Sequence, residues 1–171
     1  FEIHPPKRYR DRRRQISPDG GVARSRVYGE VSGDWSKFAK NELLDLAAVQ
    51  IGGKVITGND MFFSHKDNLI MPGRGVNMGD GWETRRRREP GQDWIIVALG
   101  HRGTIDHAQV DTAHYKGNYP DSFSAQAADL SEFSGDLDKA VVASSMFWDT
   151  LIATEKLSAD AIHDISSDKV A

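Results

Sequence analysis

A chain of 171 residues is long enough for one domain with a loose end, and its 39 % hydrophobic content, with four Trp, seven Phe and four Tyr, supplies a core. The formal net charge of -3 points to no polyanionic partner, and the absence of Cys excludes disulfides, thiolate catalysis and Cys-ligated zinc. No apolar run approaches the roughly 18 residues that span a bilayer and no signal-peptide pattern is visible, so neither nucleic acid nor membrane is expected as a partner, and the expected location is cytoplasmic.

Charge is uneven along the chain. Residues 1–26 hold eight Lys or Arg against three acids, whereas residues 129–171 hold nine acids against three Lys. Ends of opposite sign can meet each other or sit beside other segments, and a basic run is most often solvated surface. The chain begins at Phe1 rather than Met and is read as a fragment or a processed piece.

Lys7 to Arg14 has little apolar content and no period, which reads as an exposed or poorly ordered segment. Ser17-Pro18-Asp19-Gly20-Gly21 is a turn signal, followed by an expected strand from Val22 to Val31. Asp34 or Ser36 is placed to cap a helix running toward Val49 and stopped by Gly52-Gly53. Lys54 to Thr57 reads as a short strand. Residues 58–92 hold eight Gly and Pro together with many polar side chains, and loops of that length in a compact domain tend to be functional.

Asp93 to Leu99 is a continuous apolar strand, and Thr104 to Thr112 a further one. Tyr115 to Asp121 is rich in Gly, Asn and Pro. Phe123, Ala125 and Ala127 alternate with polar neighbours as a strand, Val141 to Ser144 is expected as another, and Leu157 to His163 as a helical turn or a strand edge. Short strands separated by turn clusters, with little helix, predict an antiparallel all-β sandwich or jelly roll rather than an α/β fold.

Four segments then carry a resemblance: Gly52 to Ile56 running into Asn59-Asp60-Met61-Phe62-Phe63; Asn68 to Arg74 through Asn77-Met78-Gly79-Asp80-Gly81-Trp82-Glu83-Thr84-Arg85-Arg86; Pro90 to Trp94; and Asp111-Thr112-Ala113-His114-Tyr115-Lys116-Gly117-Asn118-Tyr119-Pro120. In this order and spacing they resemble the allantoicase family, over roughly residues 18–128. Trp148 and Lys156 to His163 are similar to it as well. The resemblance implies a jelly-roll β-sandwich of the galactose-binding type and hydrolysis of allantoate, a small molecule, to ureidoglycolate and urea. It also implies two repeats in one chain; a homo-oligomer is expected. Against that pattern, residues 1–34 are similar to the tail strand of a preceding repeat. Residues 35–171 are similar to a second repeat without its final strand.

The chemistry so implied sets three tasks. A cation should hold the allantoate carboxylate, best an Arg with its bidentate fork. A base should activate water or assist urea departure, and an acid should protonate the leaving nitrogen. Arg85 and Arg86 are the candidate carboxylate holders, with Arg74 a further one. Alternation in an extended segment lets only two of Arg85 to Arg88 face one site, and a solvated charge run is the alternative. Glu83 is a candidate base or simply an Arg partner. Asp111, at a strand end, and His114, three residues on, suit proton transfer; a turn Asp and an exposed His are the bland reading. Trp82 is a site wall or core residue. Lys116 and Asn118 extend the loop, with Asn118 placed to read a ureido group. Asn59 and Asp60 are ordinary turn formers that only the resemblance makes candidates. No cofactor is required and no metal ligand is assigned. A divalent metal stays open, because His107, Asp111 and His114 are possible ligands without a tight motif. Two other readings compete: a non-catalytic jelly-roll binding module, and a structural repeat that needs a partner repeat for activity.

Overall fold

The computed structural model describes residues 38–133 and 137–166, together with Ser17, Gly20, Gly21, Ser36, Asp168 and Val170. The expected strand Val22 to Val31 and the basic segment Lys7 to Arg14 lie outside the described residues. The chain divides into two compact units, residues 1–42 and 43–171. In the first, Ala39 and Glu42 close a turn: the Ala39 N–H donates to the Glu42 carboxylate at 2.8 Å and the Glu42 N–H returns to the Ala39 carbonyl at 3.0 Å.

The second unit is built from strands in antiparallel pairs. β1 (Lys54–Gly58) pairs with β2 (Ile95–Ala98), β3 (Ala108–Asp111) with β6 (Ile162–Ile165), and β4 (Ser122–Ala127) with β5 (Asp149–Lys156). One helix, α1 (Leu137–Ser145), precedes β5. Buried apolar side chains come from most of these elements: Val55 on β1, Ile96 on β2, Val141 on α1, Ile165 on β6 and Ile152 on β5, the last only 1 % exposed. Fully burying such a side chain contributes about 1.5–3 kcal/mol. A bulge between Val55 and Thr57 in β1, and two register shifts in β4, bend these short ribbons at their paired edges.

The all-β expectation describes this architecture, and several element boundaries need correction. The helix expected from residue 34 or 36 to Val49 does not form: among the described residues, 39–48 are turns and irregular backbone, followed by a 3₁₀ turn at Val49–Ile51. Asn41 stands at φ 69°, in the left-handed region that no α-helix accommodates. Asp45 turns its carboxylate back onto the Ala47 N–H at 3.1 Å, a local bond that competes with helix. The strand expected at Val141 to Ser144 is the second half of α1. Val141 is buried and Ala140 and Ser144 half-buried while Val142 and Ala143 are exposed, which is helical spacing and not alternation. The strand expected over Thr104 to Thr112 is confined to Ala108–Asp111, where β6 supplies a partner. β5 is a strand that alternation does not show, because half-buried Leu151 directly precedes buried Ile152.

Gly53 fixes how the segment before β1 packs. A Cβ there would lie 1.9 Å from the Ala47 carbonyl oxygen, so only glycine lets the chain pass. The Gly100 N–H donates to the Leu46 carbonyl at 2.9 Å, tying the same segment to the end of β2.

Candidate functional site

Residues 59–94 carry most of the candidate side chains, and the irregular backbone of residues 63–83 is tied by hydrogen bonds. The Phe63 N–H donates to the Glu83 carbonyl at 3.1 Å. Ser64 donates its hydroxyl to the Gly81 carbonyl at 2.6 Å, and the Asn68 amide reaches the Gly79 and Gly81 carbonyls at 2.9 and 3.0 Å. Asn77 and Asp80 form a capping box around the 3₁₀ turn Met78–Asp80. These side-chain-to-backbone bonds replace the ladders a strand would use, so the loop has a defined shape.

At the exit of β1, Asn59 joins the two sides of the β1–β2 ribbon. Its side-chain oxygen accepts from the Trp94 N–H at 2.8 Å, and its amide donates to Asp93 at 3.0 Å. Asp60 follows, its side chain only 8 % exposed, and accepts from Arg85 Nε at 2.8 Å. The Trp82 indole N–H donates to the Asp60 carbonyl at 2.7 Å, and the Arg85 guanidinium lies 5.5 Å from the Phe62 ring centroid. Asp93 accepts from Arg87 and from the Thr84 hydroxyl. Burial pushes the Asp93 carboxyl up, but the hydrogen bonds from Arg87, Thr84 and Asn59 outweigh it, and it is held below its ordinary value of 3.8. An open cavity of about 490 Å³ is lined by Asn59, Asp60, Arg85, Arg86, Arg87, Arg88 and Glu89.

A second group forms where the loop after β3 meets residues 74–83. The Asp111 carboxylate takes Arg74 in a two-bond grip at 2.8 and 3.3 Å and also accepts from the Ala113 N–H at 2.8 Å. That grip raises the Arg74 guanidinium above its ordinary value. His114 adopts φ 70°. Its N–H donates to the Asp160 carboxylate at 2.6 Å, and its Nε2 stands 2.8 Å from the Gly75 carbonyl. A carbonyl can only accept, so Nε2 carries the proton and Nδ1 holds the lone pair of the neutral ring. The His114 N–H is the main reason the Asp160 carboxyl is lowered, with Lys116, 4.0 Å away, adding to it. The Tyr115 hydroxyl donates to the Met78 carbonyl at 2.8 Å, and burial, then the charge of Glu83, raises its pKa. Asn118 donates to Glu83 Oε1 at 2.8 Å.

The candidates therefore fall into two adjoining sets. Asn59, Asp60, Arg85 and Arg86 line the cavity, with Trp82 bonded to the Asp60 carbonyl, while Asp111, His114, Lys116, Asn118 and Glu83 belong to the loop contact. Asp111 and His114 do not bond to each other, because Asp111 is taken by Arg74 and His114 by Gly75 and Asp160. Among the described residues no three His, Asp or Glu side chains converge as a metal site, so His107, Asp111 and His114 do not form one. Sequence reasoning gave no role to Asp93, Tyr115 and Asp160. Asp160 is a turn former ahead of β6, and the partners of Tyr115 and Asp160, 37 and 46 residues away, leave no spacing pattern.

The family model of the allantoicase repeat matches residues 44–171. A probable allantoicase of Rhizobium meliloti (strain 1021) is 51 % identical over 98 % of this chain and 49 % of its own length. Probable allantoicase 2 of Burkholderia mallei (strain ATCC 23344) is 46 % identical over 99 % of this chain and 50 % of its own. This chain thus spans about half the length of the curated relatives it matches. Among solved structures, an allantoicase superposes with TM-score 0.62 at 33 % identity over 75 % of this chain and 36 % of its own. The allantoicase of Saccharomyces cerevisiae superposes with TM-score 0.59 at 33 % identity over 72 % of this chain and 34 % of its own. Matching sequence over nearly its whole length and matching backbone over three quarters of it, the chain belongs to the allantoicase family and has the all-β fold of its repeat.

Proposed function

We propose that the chain takes part in hydrolysing allantoate to ureidoglycolate and urea, the amidine C–N cleavage of purine (allantoin) degradation, in the cytoplasm. The observation that carries this reading is an arginine-lined cavity beside a loop contact that keeps a carboxylate and an imidazole each half engaged. Asn118 occupies one oxygen of Glu83, and Gly75 occupies Nε2 of His114. The second Glu83 oxygen and His114 Nδ1 then serve as the proton acceptors, one drawing a proton from water or from the substrate and the other, once protonated, delivering it to the departing urea nitrogen. Asp111 supports that chemistry by holding Arg74, and Asn118 by holding Glu83. Lys116 adds positive charge at the loop.

A second reading has its own support. The half-length match to the relatives favours a repeat that completes its site only beside a partner repeat. On that reading residues 35–171 are the repeat and residues 1–34 the tail of the preceding one. Exposed Met61, Phe62, Phe63, Leu69, Met71 and Val76 support association with another repeat or a second copy, since so many exposed large apolar side chains in one segment are what an interface covers.

Substitution tests the assignment. Glu83→Gln and His114→Ala should each reduce urea release by about 100-fold or more, within the range general acid–base catalysis supplies, with unchanged far-UV circular dichroism. Near-normal release from either variant removes that residue from the mechanism.

A further inference from the structure

The four consecutive arginines at the cavity are not equivalent. Arg85 gives Nε to Asp60 and rests on Phe62, and Arg87 pairs with Asp93. Arg86 and Arg88 line the same cavity, two positions apart, and pair with no carboxylate among the described residues. We propose that Arg86 and Arg88 are the anchor for a monocarboxylate ligand, and that Arg85 and Arg87 are fixed partners of Asp60 and Asp93. The proposal rests on the hydrolase reading for the ligand's identity, since allantoate carries one carboxylate.

Charge pairing carries the argument. An Arg already bonded to a half-buried or nearly buried acid has its field cancelled locally, and turning it to a ligand would strand that acid. An unpaired guanidinium has no such competitor and offers two parallel N–H donors to a carboxylate. Arg86 and Arg88 both line the cavity, so they can close on one anion there. The acids decide the ligand's charge. Asp60 and Glu89 on the wall, with Asp93 bonded to Arg87, set three negative charges against four guanidinium groups. A net of one positive charge suits a singly charged carboxylate and disfavours phosphate or a polyphosphate. Arginine stays protonated throughout the working pH range, so the anchor itself does not titrate.

Calorimetric titration of the full 171-residue chain tests the proposal, with allantoate, its product ureidoglycolate, neutral allantoin and inorganic phosphate as probes. Arg86→Gln and Arg88→Gln should each raise the Kd for both carboxylates about tenfold, near 1.4 kcal/mol, without lowering Tm. Arg85→Gln should instead lower Tm, because it strands Asp60, while the Kd for ureidoglycolate stays within about twofold. Wild-type affinity in Arg86→Gln and Arg88→Gln, no binding of either carboxylate, or phosphate binding as tight as ureidoglycolate would each overturn it. Carboxylate binding through Arg86 and Arg88 without urea release leaves the anchor standing and removes only the hydrolase reading.

Discussion

His114 sits in left-handed backbone at φ 70°, a conformation that costs a side chain with a Cβ about 1–2 kcal/mol. Glycine would meet the backbone need without that cost, so the imidazole is what the position retains. His114→Gly exchanges relief of strain for loss of the bond to Gly75, worth about 0.5–1.5 kcal/mol. We expect thermal unfolding to change little and urea release to collapse; retained turnover would reduce His114 to a turn residue. Asp93 makes a separate prediction. Its carboxyl is lowered in the folded chain, so its contribution to stability is present above the ordinary value of 3.8 and fades as pH falls below that. Asp93→Asn should flatten the acid limb of a stability-versus-pH curve measured by denaturant unfolding. An unchanged limb would assign the acid sensitivity elsewhere.

The loop after β3 and residues 74–83 are joined at four places: Arg74 to Asp111, Gly75 to His114, Met78 to Tyr115 and Glu83 to Asn118. Gly81 lets them close. A Cβ there would stand 2.5 Å from the Tyr115 hydroxyl oxygen and 3.1 Å from the ring. The ring is rigid, so Gly81→Ala should cost about 1–3 kcal/mol as overpacking does. Tyr115→Phe in the same chain should recover part of that loss in chemical denaturation. If Gly81→Ala alone is neutral, the two segments are not held this closely. The readable elements were those whose signal is local. The apolar run of β2 and the alternation of β4 stand out in the sequence, as does the Gly- and Pro-rich stretch 58–92. α1 differs from the expected strand because Val141-Val142-Ala143 satisfies a short strand as well as a helical turn, and only the helical burial of Val141 resolves it. In the candidate site, Glu83, His114 and the arginines stand out in the sequence by residue type and family resemblance. That Asp111 serves Arg74 and that Asp160 holds His114 depends on contacts 37 and 46 residues apart.

At the scale of the molecule, the described strands form three separate two-stranded sheets, and much apolar surface stays exposed on residues 61–78. Sedimentation equilibrium should therefore show concentration-dependent association of the chain, and a monomer at all concentrations would leave that surface without a partner. No helix among the described residues is long and apolar enough to cross a membrane. The most direct test of the account is urea release from allantoate by the 171-residue chain, alone and with the half of the Rhizobium meliloti relative that this chain does not match supplied, each with and without a chelator. The account predicts release in at least one of these settings, and release by the chain alone would place a complete site within it. A folded chain that releases no urea in either setting, and releases none when divalent metal is added, would contradict the hydrolase reading.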